Sequence, residues 1–280
     1  MFIKAHAKIN LTLGIQGLRT DGYHEVEMIM QTLALHDVLQ IIPQEKGIEV
    51  KTNTKAIPHN EKNLAYQAAL LLQKYTNCSK GAKIYIEKNI PISAGLAGGS
   101  ADAAGVLRGL NILWELGLTH EKLMELGEQL GADVPFCLLG GTALARGKGQ
   151  TLLSLHKKND LGVLLLKPPY GISTAKAYAQ YDCLSPGEQP NTSAMVQALE
   201  QGDFEVVCHC LKNVLEGVAM VMHPDIMVFK NRLITAGAKG VLMSGSGPTV
   251  YGLFPNMALA QKAAECLEVK DCRVIVTSTC

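Results

Sequence analysis

Pro91-Ile92-Ser93-Ala94-Gly95-Leu96-Ala97-Gly98-Gly99-Ser100-Ala101-Asp102-Ala103-Ala104 is the stretch on which the reading of this chain turns. A short alternating strand, Lys83 to Glu87, runs through Asn89-Ile90-Pro91 into it. Apolar residues at helical spacing follow over about 101–116, with Ala104, Leu107, Leu110, Leu113 and Trp114 on one stripe. A strand, a loop of small residues and a helix start in that order bring several backbone N–H groups to the positive end of a helix dipole. Phosphate oxygens bind in such a place, and small side chains let the backbone approach them. The same order also describes a tight strand-to-helix connection with close packing, and the loop alone does not separate the two readings. It lacks the Gly-Lys-Ser/Thr ending of a P-loop, and its glycine spacing is not G-x-G-x-x-G. The run Gly141-Thr142-Ala143-Leu144-Ala145-Arg146-Gly147-Lys148-Gly149 is closer to a P-loop but has five residues between its first glycines. Gly149 also stands where the magnesium-binding hydroxyl belongs, so that match is rejected.

Upstream of the loop, Ile3, Ala5, Ala7, Ile9, Leu11 and Leu13 alternate with Lys4, His6, Lys8, Asn10 and Thr12, the period of a strand. Its polar face is either solvated or lines a cleft with Lys8 and Asn10 adjacent on it; periodicity alone favours the first. Thr20-Asp21-Gly22-Tyr23 reads as a turn, residues 24–42 as extended, and Asn63 to Tyr75 as a helix. Downstream, a helix over His120 to Leu130 stops at Gly131. Asp133, in Gly131-Ala132-Asp133-Val134-Pro135-Phe136, is either a capping or turn aspartate or a partly buried carboxylate able to orient or deprotonate an alcohol.

The polar run His156-Lys157-Lys158-Asn159-Asp160 marks the expected boundary between two domains, 1–155 and 156–280. Beyond it come a strand at 162–167, helices near 173–181, 192–201, 203–218 and 224–236, and strands at 240–243 and 249–254. A helix near 256–268 and a strand at 273–277 follow, giving an α+β arrangement in two halves. Met243-Ser244-Gly245-Ser246-Gly247-Pro248-Thr249 is a glycine-rich turn between two strands, either a plain hairpin turn or a second loop closing over phosphates or substrate.

Lys and Arg (26) nearly balance Asp and Glu (25), so no whole-molecule field recruits nucleic acid or anionic membrane. The apolar run Leu161 to Leu166 is too short to span a bilayer, and Met1-Phe2-Ile3-Lys4 opens no secretory signal. The eight cysteines are scattered, and Cys208-His209-Cys210 lacks zinc-ligand spacing, so it reads as structural packing. Together these features point to a cytoplasmic protein with reduced thiols.

Ala7-Lys8-Ile9-Asn10-Leu11, Pro91 to Ala104 and Leu242 to Thr249, in that order, resemble the three signature motifs of the GHMP kinases. Asp21-Gly22-Tyr23-His24, Asn63-Leu64 and Leu130-Gly131-Ala132-Asp133-Val134-Pro135 are similar to the branch that phosphorylates a cytidine diphosphate-linked methylerythritol. The resemblance runs from residue 3 to about 254 and is densest in the first 150 residues. It implies a ribosomal-protein-S5-like N-terminal domain and a ferredoxin-like C-terminal domain, with ATP and a small-molecule alcohol meeting between them. It further implies transfer of a phosphoryl group from ATP, with Mg²⁺, to the 2-hydroxyl of that alcohol. In this resemblance Lys8 and Asp133 form the catalytic pair, residues 91–101 cradle the ATP phosphates, and Asn63 lies near the adenine. Asn10, Thr174, Gly245 and Gly247 face the substrate, His24 reads the cytosine edge, and Tyr23 and Tyr178 stack on its ring. One departure is Ala101, where many members carry the second of two serines whose hydroxyls help hold Mg²⁺; this implies an ion held mostly by phosphates and water. Two rivals stand beside this reading. Another GHMP kinase, for homoserine or mevalonate, would not need the aromatic site, and a non-catalytic nucleotide-binding regulator would not need Lys8 and Asp133.

Overall fold

The computed structural model describes residues 1–155, 160–184, 187–267 and 270–280; residues 156–159, on which the expected boundary falls, lie outside the described residues. The chain opens with two long strands, β1 (Phe2–Leu18) and β2 (His24–Gln44). Then come β3 (Ile48–Thr52), α1 (Leu64–Thr76), β4 (Gly81–Glu87), α2 (Gly98–Leu113), α3 (His120–Glu128), α4 (Val134–Leu139), β5 (Thr142–Arg146) and β6 (Thr151–Leu155). The later part holds β7 (Gly162–Lys167), α5 (Thr174–Asp182), α6 (Thr192–Gln201), α7 (Phe204–His209), β8 (Lys212–Asn213), α8 (Val214–Met222) and α9 (Ile226–Thr235). It ends with β9 (Gly240–Met243), β10 (Val250–Phe254), α10 (Met257–Glu265) and β11 (Arg273–Ser278). Contacts group the chain into two compact units. The first comprises Met1–Ala7, Leu35–Pro91 and Ala97–Gly140, and the second Lys8–Ala34, Ile92–Leu96 and Gly141–Cys280.

In the first unit β4 pairs in parallel with β3 and antiparallel with the end of β2, Val38 to Gln44. Helix α2 lies close on this sheet because it carries glycine where a side chain would collide. A Cβ at Gly109 would stand 2.4 Å from Ile41 Cδ1, and one at Gly105 would stand 2.9 Å from Leu39 Cδ2. Ala101, Ala103, Ala104, Val106, Leu107 and Leu110 of the same helix are buried, so a small-residue face replaces the usual leucine-rich one.

In the second unit β5 pairs antiparallel with Met28–Gln31 of β2, β6 with β5, and β8 runs parallel to β1 at Thr12–Leu13. A separate antiparallel sheet has the order β11-β7-β10-β9. Its chain order of strand, helices, two strands, helix, strand gives the 4-1-3-2 arrangement of a ferredoxin-like sandwich. β7 and β10 are buried along their whole length, which explains their near-continuous apolar runs.

Three elements differ from the sequence reading. The helix expected over 203–218 is broken into α7 and α8, because Asn213 pairs with Leu13 in β8 and then caps α8 through Oδ1 to the Leu215 N–H at 3.0 Å. The polar face of β1 is solvated only towards its ends, at Lys4 and Gln16 and partly at His6; Lys8, Asn10 and Thr12 are buried, and Thr12 Oγ1 accepts the Ile29 N–H at 3.0 Å. Helix α2 begins at Gly98, three residues earlier than its apolar stripe, after Ala97 at φ 57°. β3, α4, β5 and β6 are too short or too weakly patterned to have been anticipated. Among the described residues no helix is long and apolar enough to cross a membrane.

Candidate active site

The second unit gathers the first and third motifs. Lys8 Nζ donates to Asn10 Oδ1 at 2.7 Å across two residues of one strand face, and both side chains are buried. The hairpin turn at 244–248 lies against them: a Cβ at Gly245 would stand 3.3 Å from Lys8 Nζ and 3.5 Å from Asn10 Oδ1. Gly245 (φ 57°) and Gly247 (φ 84°) hold conformations that a side chain disfavours, which is why this turn is built from glycine. Asn10 is fixed further, its Nδ2 donating to Met28 Sδ at 3.2 Å and its carbonyl accepting Tyr251 Oη at 2.8 Å.

The middle of the small-residue loop belongs to the same unit. The Lys8 N–H donates to the Leu96 carbonyl at 3.2 Å, and Ser244 Oγ donates to the Gly95 carbonyl at 2.9 Å. A Cβ at Gly95 would lie 2.1 Å from the Ser244 carbonyl oxygen, so this contact between the second and third motifs exists only with glycine. Thr174 Oγ1 lies 3.0 Å from Ser246 Oγ, tying the start of α5 to the same hairpin.

The first unit holds the other end of the loop. Ser93, Gly95 and Ala97 take positive φ at alternate positions, 49°, 74° and 57°, and the chain then enters α2. The first intrahelical bond there is from the Ala101 N–H to the Ala97 carbonyl, so the N–H groups of Gly98, Gly99 and Ser100 lie ahead of it. Beside this helix start, Leu64 Cδ1 comes within 3.6 Å of a Cβ position on Gly99, and Ser100 Oγ within 4.0 Å of one on Gly131. The segments bearing Asn63 and Asp133 thus flank the phosphate-type loop. Asn63 caps α1, accepting the Ala65 N–H at 2.9 Å while donating to the Pro58 carbonyl at 2.8 Å. Asp133 occupies the N-cap of α4 half-buried, but its side chain makes no capping hydrogen bond, which leaves the capping reading without support.

Tyr178 and His24, far apart in sequence, pack together in the second unit with ring centroids 4.8 Å apart and planes at 35°. Tyr181 approaches the same imidazole edge-on at 6.3 Å. His24 Nε2 is 2.7 Å from Asp182 Oδ1, a bond that orients the ring. Tyr23 is exposed, and the Lys148 ammonium stands 4.9 Å from its ring centroid. Sequence reasoning missed Asp182, Tyr251 and Asn213. The last donates to the Met243 and Gly245 carbonyls at 2.9 and 2.8 Å and so props the third motif from behind. Asparagine's preference for helix caps was the one available signal for it.

Among the described residues no group of three or more His, Cys, Asp or Glu side chains is placed to hold a metal ion. Ala101 brings no hydroxyl to the helix start, and Asp102 Oδ2 is occupied by the Lys88 ammonium. This donor set does not form a protein cage for a resident ion.

The sequence matches the GHMP kinases N terminal domain over residues 63–141 and the GHMP kinases C terminal domain over residues 195–272. A 4-diphosphocytidyl-2-C-methyl-D-erythritol kinase from Caldicellulosiruptor bescii is 46% identical over 281 residues, covering 100% of this chain and 98% of the relative. One from Bacillus pumilus is 48% identical over 260 residues, covering 92% and 90% respectively. A crystal structure of 4-(cytidine 5'-diphospho)-2C-methyl-D-erythritol kinase superposes with a TM-score of 0.84 at 34% identity, covering 100% of this chain and 99% of the other. L. major mevalonate kinase in complex with R-mevalonate shares the fold, with a TM-score of 0.78 at 19% identity and coverage of 100% and 95%. With these matches spanning nearly its whole length, the chain belongs to the GHMP kinases, in the branch of the 4-diphosphocytidyl-2-C-methyl-D-erythritol kinases.

Proposed function

We propose that the protein transfers the γ-phosphoryl group of ATP to the 2-hydroxyl of 4-diphosphocytidyl-2-C-methyl-D-erythritol. The observation that carries the choice of substrate is the His24–Tyr178 pair, oriented by Asp182, in the unit that also holds Lys8 and Asn10. An aromatic face beside a hydrogen-bonding imidazole suits a pyrimidine, and neither homoserine nor mevalonate has a ring to place there. Tyr178 and the exposed Tyr23 stack on the cytosine in this reading, and His24 bonds its edge. Asn10, Thr174, Gly245 and Gly247 shape the site of the alcohol.

Phosphoryl transfer needs little covalent help from the protein; positioning and charge stabilisation carry it. The ATP phosphates lie on residues 91–101, with the Gly98, Gly99 and Ser100 amides directed at their oxygens, and Asn63 lies near the adenine. Lys8 supplies a buried ammonium to offset charge developing on the transferred group, and its nearness to Asn10 holds it off other rotamers. Asp133 accepts or orients the proton of the 2-hydroxyl. Mg²⁺ enters with the nucleotide as Mg·ATP, held by phosphates and water. In chain order the two family domains run over 1–155 and 156–280, and the two family matches fall one on each side of that division. In this reading the reaction takes place in the cytoplasm.

The test is a coupled ADP-release assay with Mg·ATP and, in turn, diphosphocytidyl-methylerythritol, homoserine, mevalonate and galactose. Turnover confined to the cytidyl compound is expected. Turnover of another alcohol would discard the cytosine site, and silence on all four would favour a non-catalytic nucleotide-binding protein.

A further inference from the structure

Asp37, Lys88 and Asp102 form a buried cluster in the first unit that the reaction as described does not use. The Lys88 ammonium donates to Asp37 Oδ2 and, at 2.6 Å, to Asp102 Oδ2; the three side chains are 0%, 6% and 6% exposed for Asp37, Lys88 and Asp102. Asp37 Oδ1 accepts the backbone N–H groups of Asn89 at 2.6 Å and Ile90 at 2.8 Å. Asp102 Oδ1 is buried without a hydrogen-bond partner. Two carboxylates therefore share one ammonium. Burial pushes the Asp102 carboxyl up to about 8; the Lys88 charge opposes this rise and the Asp37 charge adds to it.

Stability gives no reason to keep such a group, since well-packed apolar side chains commonly serve a core as well as a buried ion cluster. Its position does. Ile90 and Gly98 are the residues where the chain enters and leaves the loop, and a Cβ at Gly98 would stand 3.1 Å from Ile90 Cγ2 and 3.4 Å from Lys88 Nζ. Asp37 holds the entry through the Asn89 and Ile90 amides, and Lys88 joins Asp37 to Asp102. Asp102 lies one helical turn beyond Gly98 on the same face of α2, so anchoring it fixes the rotation of that helix about its axis. That rotation sets where the Gly98, Gly99 and Ser100 N–H groups point.

We propose that Lys88 and Asp102 are positioning residues for nucleotide binding, which with Asp37 clasp the two ends of the phosphate loop and aim the first-turn amides of α2. The proposal rests on the reading of residues 91–101 as the nucleotide phosphate site. Small misplacements of binding groups are costly, about a hundredfold for 1 Å in a catalytic site, so a single loosened tie gives a measurable loss.

The test is calorimetric binding of Mg·ADP, which needs no assumption about the alcohol. Asp102→Ala frees α2 from Lys88 and is expected to weaken Mg·ADP about tenfold, with a thermal midpoint no lower than that of the wild type. Asp102→Asn keeps an oxygen for Lys88 and is expected to restore most of that affinity, a rescue that loss of packing alone would not give. Wild-type affinity in a folded Asp102→Ala protein overturns the clasp, as does equal weakening by both variants. If Asp102→Ala does not fold, the triple variant Asp37→Asn, Lys88→Met, Asp102→Asn removes the tie without leaving a buried charge unpaired, and the amide at position 37 keeps an oxygen for the Asn89 and Ile90 N–H groups. The same loss is expected from it, and wild-type affinity there also overturns the proposal. Failure of the wild-type protein to bind Mg·ADP would overturn the nucleotide reading itself, a result distinct from either.

Discussion

Lys8 is a long cationic side chain kept 4% exposed on a strand face, where desolvation is expensive unless the charge is used. Its near neighbour Asn10 and the Gly245 backbone hold it in place, and Asp133 stands half-buried at a helix start without capping it. Lys8→Met and Asp133→Asn are each expected to lower kcat about a hundredfold or more while leaving Mg·ADP affinity nearly unchanged. The ADP-release assay and the binding isotherm separate those effects, and full turnover by Asp133→Asn would remove it from the mechanism. Asp102 gives a pH prediction of its own. Its carboxyl titrates near 8 in the folded chain against an ordinary 3.8, so between those values the folded state retains a proton that the unfolded state has lost. Stability contributed at this position is therefore present at low pH, declines as pH rises from about 4 to about 8, and is flat beyond. Asp102→Asn should raise the thermal midpoint more at pH 8 than at pH 5, and an equal shift at both would mean that the buried proton is absent. Lys8, Asn10 and the glycines were legible in the sequence because their motifs are contiguous. Asp182, 158 residues from its partner His24, was not, since a single contact across that separation leaves no local pattern.

The elements that carry these residues are fixed by small junctions. Asn213 is one: its Oδ1 caps α8, and its Nδ2 holds the Met243 and Gly245 carbonyls of the hairpin. Replacing it by alanine removes a helix cap and strands two buried carbonyls, an expected cost of about 2–4 kcal/mol. Thermal or urea unfolding reads this directly, and a change near zero would show that water replaces the amide. The loop and its two flanking elements were readable because alternation, small residues and helical spacing succeed one another without interruption. The break between α7 and α8 was hidden because apolar spacing continues through 204–222 while tertiary pairing of Lys212 and Asn213 with β1 interrupts the helix. β5 and β6 are too short to carry a readable pattern, and Gly147 (φ 73°) and Gly149 (φ 112°) turn one strand into the next.

At the scale of the whole molecule, α+β character followed from the order of the elements, and a ferredoxin-like second half from the resemblance to the GHMP kinases. The composition of the compact units did not, because β1 and β2 each run on from one unit into the other and chain order cannot show a strand being shared. The shared strands have a thermodynamic consequence. β1 passes unbroken from Ala7 in the first unit to Lys8 in the second, and β2 from Ala34 in the second to Leu35 in the first. Unfolding is therefore expected to be one cooperative transition despite a length of 280 residues. The chain carries a convenient reporter. Its single tryptophan, Trp114, is buried in the first unit with Nε1 donating to the Gly81 carbonyl at 3.3 Å, whereas far-UV circular dichroism samples both units. Urea transitions followed by Trp114 fluorescence and by circular dichroism should share one midpoint and one slope. A fluorescence transition completed at lower urea than the circular dichroism change would mean that the first unit unfolds alone. The shared strands would then connect two independently stable bodies and would not couple them.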